Sequence, residues 1–123
     1  MLYSPPPQEI NINEKINADN ILAKFYKTGD IAYLLKIANS SSSSERLQSY
    51  AFRQAARHIV DNDPEYAIEL IDKASVIDSK KTWTLNLVKN EKIRLNALRN
   101  MGLPDDLSVQ RLKILEQALN EKY

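Results

Sequence analysis

Cysteine is absent from the 123 residues, which excludes disulfides and every reaction that needs a thiolate. Glycine occurs only at Gly29 and Gly102. So few permissive residues disfavour an all-β fold with its many tight turns, and they rule out a Gly-rich loop around a phosphate. His58 is the sole histidine, so a metal site would have to be built almost entirely from carboxylates. Asp61 and Asp63 resemble the opening of a calcium loop, but the sixth position falls on Tyr66, where the sharp bend requires glycine. No apolar run approaches the roughly 18 residues of a membrane span. The opening Met1-Leu2-Tyr3-Ser4-Pro5 lacks the basic and apolar regions of a secretion signal. The expectation is a cytoplasmic protein with no membrane partner, no metal and no cofactor.

What is present is ordinary in amount and ordered in pattern. Hydrophobic residues make up 43% and charged residues 27% of the chain, the composition of a soluble globular domain. The length suits one domain with a core that needs no staples. Pro5-Pro6-Pro7 is extended and polyproline-like, so residues 1–11 are expected to form a flexible tail and residues 12–123 a single domain.

Within that domain the apolar residues recur at helical spacing. A first helix is expected from about Asn13 to Lys27, ended by Gly29, with Asp30 capping a short helix from Ile31 to Ala38. Five serines, Ser40 to Ser44, form a low-complexity link. The clearest stretch is a helical hairpin from Glu45 to Ile77, folded at Asp61-Asn62-Asp63-Pro64. Ser42 and Glu45 have capping-box spacing, and Asp63 followed by Pro64 reads as an N-cap with proline in the first helical position. A long helix over 80–101 stops at Gly102-Leu103-Pro104, and a last helix covers Leu107 to Glu121. The fold class is therefore all-α: five to six helices in stacked antiparallel hairpins, as a helical bundle or a short solenoid-like array.

Charge is blocky. Residues 61–78 hold six acids and one lysine, and residues 79–101 hold six bases and one acid. On the hairpin, Arg46, Tyr50, Arg53 and Arg57 fall on the polar side of the first helix and form a candidate partner-binding face. Arginine suits such a face because its flat fork pairs with a carboxylate in two places. Glu65, Glu69 and Asp72 on the second helix form a second candidate patch. Three arginines can neutralise only a few phosphates and the chain carries a net charge of +1, so a nucleic-acid partner is the weaker expectation. By helical geometry His58 falls among apolar neighbours, near Glu91, as a hydrogen-bonded core residue. The two-sided apolar pattern of 80–101 also allows a second copy of the chain to complete it.

A shift of 36 residues lays Ile31, Leu34, Leu35 and Ala38 over Ala67, Leu70, Ile71 and Ala74, and a further 44 brings Ile114, Leu115 and Ala118 onto the last three. Repeats of this kind are typical of stacked helix pairs. Residues 45–78 resemble one tetratricopeptide-repeat hairpin: Ala67, Ile71 and Ala74 match the second helix's small, large and small positions, and Ala55 the first helix's small one. The sequence departs from that pattern at His58, in place of an aromatic, and at Ser79, in place of the closing proline. The resemblance implies a concave surface that binds a peptide or another protein without chemistry of its own. Arg53 and His58 also have the Arg-x4-His spacing seen in HEPN ribonucleases, with Gln54 where that family usually carries Asn, Asp or His. That resemblance implies RNA cleavage, with histidine moving a proton and arginine holding a phosphate.

Overall fold

Six helices follow one another in the computed structural model, which describes residues 7–122 and the side chains of 17–121. They are α1 (Pro7–Thr28), α2 (Ala32–Ala38), α3 (Glu45–Ile59), α4 (Pro64–Lys80), α5 (Thr84–Asn100) and α6 (Asp106–Lys122). Each packs on the helix before it and the helix after it, and α3 also touches α5. The chain is thus all-α, a stack of antiparallel hairpins in sequence order. Among the described residues no helix is long and apolar enough to cross a membrane.

The turns explain where the helices stop. Asp63 caps α4, its carboxylate accepting from the Tyr66 amide at 3.2 Å, with Pro64 next in line as expected. Gly29 (φ +71°) ends α1 by one hydrogen bond from its amide to the Phe25 carbonyl, and the Asp30 carboxylate receives the Ala32 amide at 2.9 Å. At the end of α5 the Gly102 amide reaches the Arg99 carbonyl and the Leu103 amide reaches the Leu98 carbonyl, with Gly102 at φ +67°. This paired arrangement satisfies carbonyls that the helix leaves open.

Three features of the helix ends differ from expectation. The tail expected over residues 1–11 lies partly outside the described residues, and the part that is described, from Pro7 onward, is helical. The cap of α3 is Ser44, whose hydroxyl accepts from the Leu47 amide at 3.2 Å. Ser42 instead shares a hydroxyl contact with Ser40, and Glu45 bridges to Lys80 and Lys81. The helix expected over 80–101 is really the end of α4 plus α5, broken at Thr82, which takes φ +54°. Its amide and that of Trp83 repeat the Gly102 pattern, reaching the Ser79 and Asp78 carbonyls.

The core runs from Phe25 of α1 to Ala97 of α5. Its seam between α3 and α4 is made of small residues: Ala51, Ala55, Ala56, Ala67 and Ala74 are all fully buried. Small side chains let two helices approach closely, and the space beside them is filled by Leu34, Leu70 and Ile71. Each of these large side chains stabilises the fold by about 1.5–3 kcal/mol relative to exposure. The 36-residue repeat matches the burial of α2 and α4, where Leu34, Ala38, Leu70 and Ala74 are all inside. It does not extend to α6, because Ile114 is 67% exposed. There, half-buried Leu112, Leu115 and Leu119 face inward. Helix α5 packs on two sides as expected, with Ile93 and Ala97 in the main core and Glu91 facing α6.

Candidate functional site: a groove across α1, α3 and α5

Helices α1, α3 and α5 together line an open groove of about 600 Å³. Ala18, Leu22 and Leu47 form its apolar side, and Arg46, Tyr50, Arg53, Asn86 and Lys89 its polar side, with Asp19 at the α1 edge. Three residues of the first candidate face, Arg46, Tyr50 and Arg53, therefore meet in one concavity. Their roles there differ.

Arg53 is only 4% exposed, which corrects its placement on an outward basic face. Its guanidinium lies 3.1 Å from the Asp78 carboxylate and also donates to Ser49 and Asn90, both at 3.2 Å. Asp78 is wholly buried. It accepts further from Ser49 at 2.6 Å, Asn90 at 2.7 Å and Asn86 at 3.3 Å. Asn90 in turn reaches Ser75. Three helices thus share one hydrogen-bonded unit under the groove. Burial lowers the Arg53 pKa from its usual value, Asp78 opposes that shift, and nearby Arg57 adds to it. A charge held this way supports the groove floor and is not free to bind at the rim.

Arg46 lies over the Trp83 ring, 5.1 Å from its centroid, a cation–π contact that fixes the guanidinium at the groove edge. Trp83 is half-buried and serves as a platform rather than core. The Tyr50 hydroxyl is 3.1 Å from that of Tyr26. This hydrogen bond, with some burial, raises the Tyr50 pKa. Arg57 is exposed and outside the groove. The second candidate patch is split: Glu65, Glu69 and Asp72 are all exposed, but Asp72 is held by Arg94 at 2.6 Å.

His58 is exposed, with its ring edge-on to Phe25 at 5.3 Å and against Gly29. This corrects its expected place in the core beside Glu91. Glu91 is engaged by Ser108 at 2.5 Å and by Arg111 at 3.5 Å. The Arg94 Nε is 3.4 Å from Glu91 without a well-formed hydrogen bond. Glu91 and Arg94 interrupt the apolar stripe of α5 because they tie it to α6 and α4. Arg53 and His58 are not brought together either. Five helical residues apart, they project roughly 140° from each other, one into the interior and one onto α1. Among the described residues no group of His, Asp and Glu side chains is arranged to hold a metal ion.

Sequence reasoning missed Asp78, Asn86 and Asn90. The only available signal was the spacing of the last two, one helical turn apart on α5, which puts them on one face. The fold and groove define an all-α helical-hairpin domain with a concave, mixed-polarity face. No family model, no curated protein and no solved structure matches the chain.

Proposed function

We propose that the chain is a small helical interaction module that receives a segment of another protein in the groove across α1, α3 and α5, and that it does so without catalysis. The observation that carries this reading is the groove itself: about 600 Å³ of open concavity with one apolar and one cationic side, each contributed by more than one helix. Such mixed lining suits a peptide, whose side chains alternate in character, better than a uniformly polar ligand. Sequential packing of the helices, with alternate ones sharing the concave face, also supports the tetratricopeptide-like reading. The ribonuclease reading has no comparable support, since Arg53 is saturated by Asp78, Ser49 and Asn90.

The test is site-specific photocrosslinking in the native cell. A photoreactive residue at Leu22, inside the groove, is compared with one at Glu69 on the exposed side of α4. A discrete adduct from the Leu22 position that the Glu69 position does not give is the expected result. Adducts from Glu69 alone would move the docking surface to the acidic patch, and the groove reading would fall.

A further inference from the structure

We propose that the segment taken into the groove is acidic, with apolar residues between its carboxylates. This rests on the groove being a docking site and adds what it selects. Among the described residues the charge in the groove is not balanced internally. Arg53 is neutralised by Asp78, whereas Arg46 and Lys89 have no carboxylate partner among the described residues. Among the described lining residues, the one carboxylate set against these two cations is Asp19, on the opposite helix.

Their placement gives the site a direction. Arg46 is held on Trp83, so its planar fork is oriented before anything binds and loses little freedom in pairing with a carboxylate. Lys89 lies on the neighbouring helix α5 and supplies a second, more mobile positive charge. Ala18, Leu22 and Leu47 on the α1–α3 side offer apolar contact. A bound strand with alternating side chains can therefore turn its carboxylates toward α3 and α5 and its apolar residues toward α1. A nucleic acid fits less well. Two free cations satisfy few phosphates, Asp19 repels a polyanion, and the aromatic Tyr50 is tied through its hydroxyl to Tyr26.

The test uses the full chain and two defined probes, a fluorescent dodecapeptide of alternating Glu and Leu and its Gln–Leu counterpart, followed by anisotropy. A randomised dodecapeptide library displayed on phage is selected in parallel. Binding of the Glu–Leu peptide, acidic enrichment in the selected library, and about tenfold weaker binding in Lys89→Glu with no matching loss for the Gln–Leu peptide are expected. Lys89 is exposed, so this variant should keep the parent circular dichroism and melting curve, which are measured alongside. Leu22→Trp, which fills the apolar side, should block both peptides. If selected peptides are neutral or basic yet still blocked by Leu22→Trp, the acidic preference is wrong and the groove reading stands. If no selected peptide responds to Leu22→Trp, both fall. Tighter binding of a single-stranded oligonucleotide than of the Glu–Leu peptide, lost in Lys89→Glu, would overturn the proposal in favour of a phosphate ligand.

Discussion

Replacing Asp78 by alanine is expected to destabilise this domain severely. The carboxylate is fully buried and accepts from Arg53, Ser49, Asn86 and Asn90. Its loss leaves a buried guanidinium without its counter-charge and three further donors without their acceptor. Breaking a buried pair from one side costs about 3–5 kcal/mol, a large share of the about 5–15 kcal/mol that holds a typical domain together. Arg53→Met should cost less, about 3 kcal/mol, because the remaining carboxylate keeps three neutral donors. The double variant Arg53→Met/Asp78→Leu removes both charges and substitutes apolar volume, so its loss should be smaller than the Arg53→Met and Asp78→Leu losses added by about 2–3 kcal/mol. Urea unfolding followed by far-UV circular dichroism measures these variants and Asp78→Ala, with urea chosen because it does not screen charge. Additivity within about 0.5 kcal/mol, or a single-variant loss for Asp78→Ala below about 1 kcal/mol, the level of an ordinary exposed pair, would refute the view of this cluster as one unit.

Thr82→Gly should stabilise the fold by about 1 kcal/mol, since Thr82 sits at φ +54° in the seat that Gly102 fills at the end of α5; a lower midpoint in urea would contradict this. Asp63→Ala removes the side-chain cap of α4 and should cost about 1 kcal/mol in the same assay, with Asp63→Asn nearly neutral. For Tyr50, the hydrogen bond to Tyr26 and burial raise the phenol pKa in the folded state. The stability this contributes is complete below the ordinary tyrosine range and is lost as pH rises through the raised Tyr50 value. NMR titration of ring-labelled tyrosine should show Tyr50 ionising late in the parent chain and closer to the ordinary value in Tyr26→Phe; an unchanged Tyr50 midpoint in that variant would break the assignment.

Much of the fold was legible because local chemistry marks it. Asp63-Pro64, Gly29 and Gly102 occupy the positions their residue types suggest, and α3 shows its buried alanines at helical spacing. The break between α4 and α5 was not legible. The chain turns there at Thr82, a β-branched residue rarely found at positive φ, so no sequence signal separates the end of one helix from the start of the next. The candidate site was half legible. Arg46 and Tyr50 reach the groove, but hydropathy assigns arginine, aspartate and asparagine to the outside by default. Arg53, Asp78 and Asn90 are inside because they satisfy one another across three helices, a pairing at separations of 25, 37 and 12 residues that periodicity does not register. His58 erred the other way. It lies one step beyond the α3 seam, where the neighbour is the end of α1 rather than the core.

The placement of that polar unit bears on what the groove can do. Alanine seams such as Ala51, Ala55 and Ala74 pack closely but are smooth, and neighbouring registers of two such helices bury similar area. Hydrogen bonds are less tolerant, since sliding a helix by one residue moves a side chain about 1.5 Å along the axis and turns it about 100°. Asp78 can meet Ser49, Arg53, Asn86 and Asn90 together only in the register observed. The network sits beneath the groove, where α3 and α5 must hold Arg46 and Lys89 in fixed relation to each other. A purely apolar junction could match it in stability while letting those two cations drift apart. The Arg53→Met/Asp78→Leu chain separates these contributions: recovered stability with weakened binding of the Glu–Leu peptide means that the buried ions set geometry, whereas recovery of both would leave them no role beyond stability.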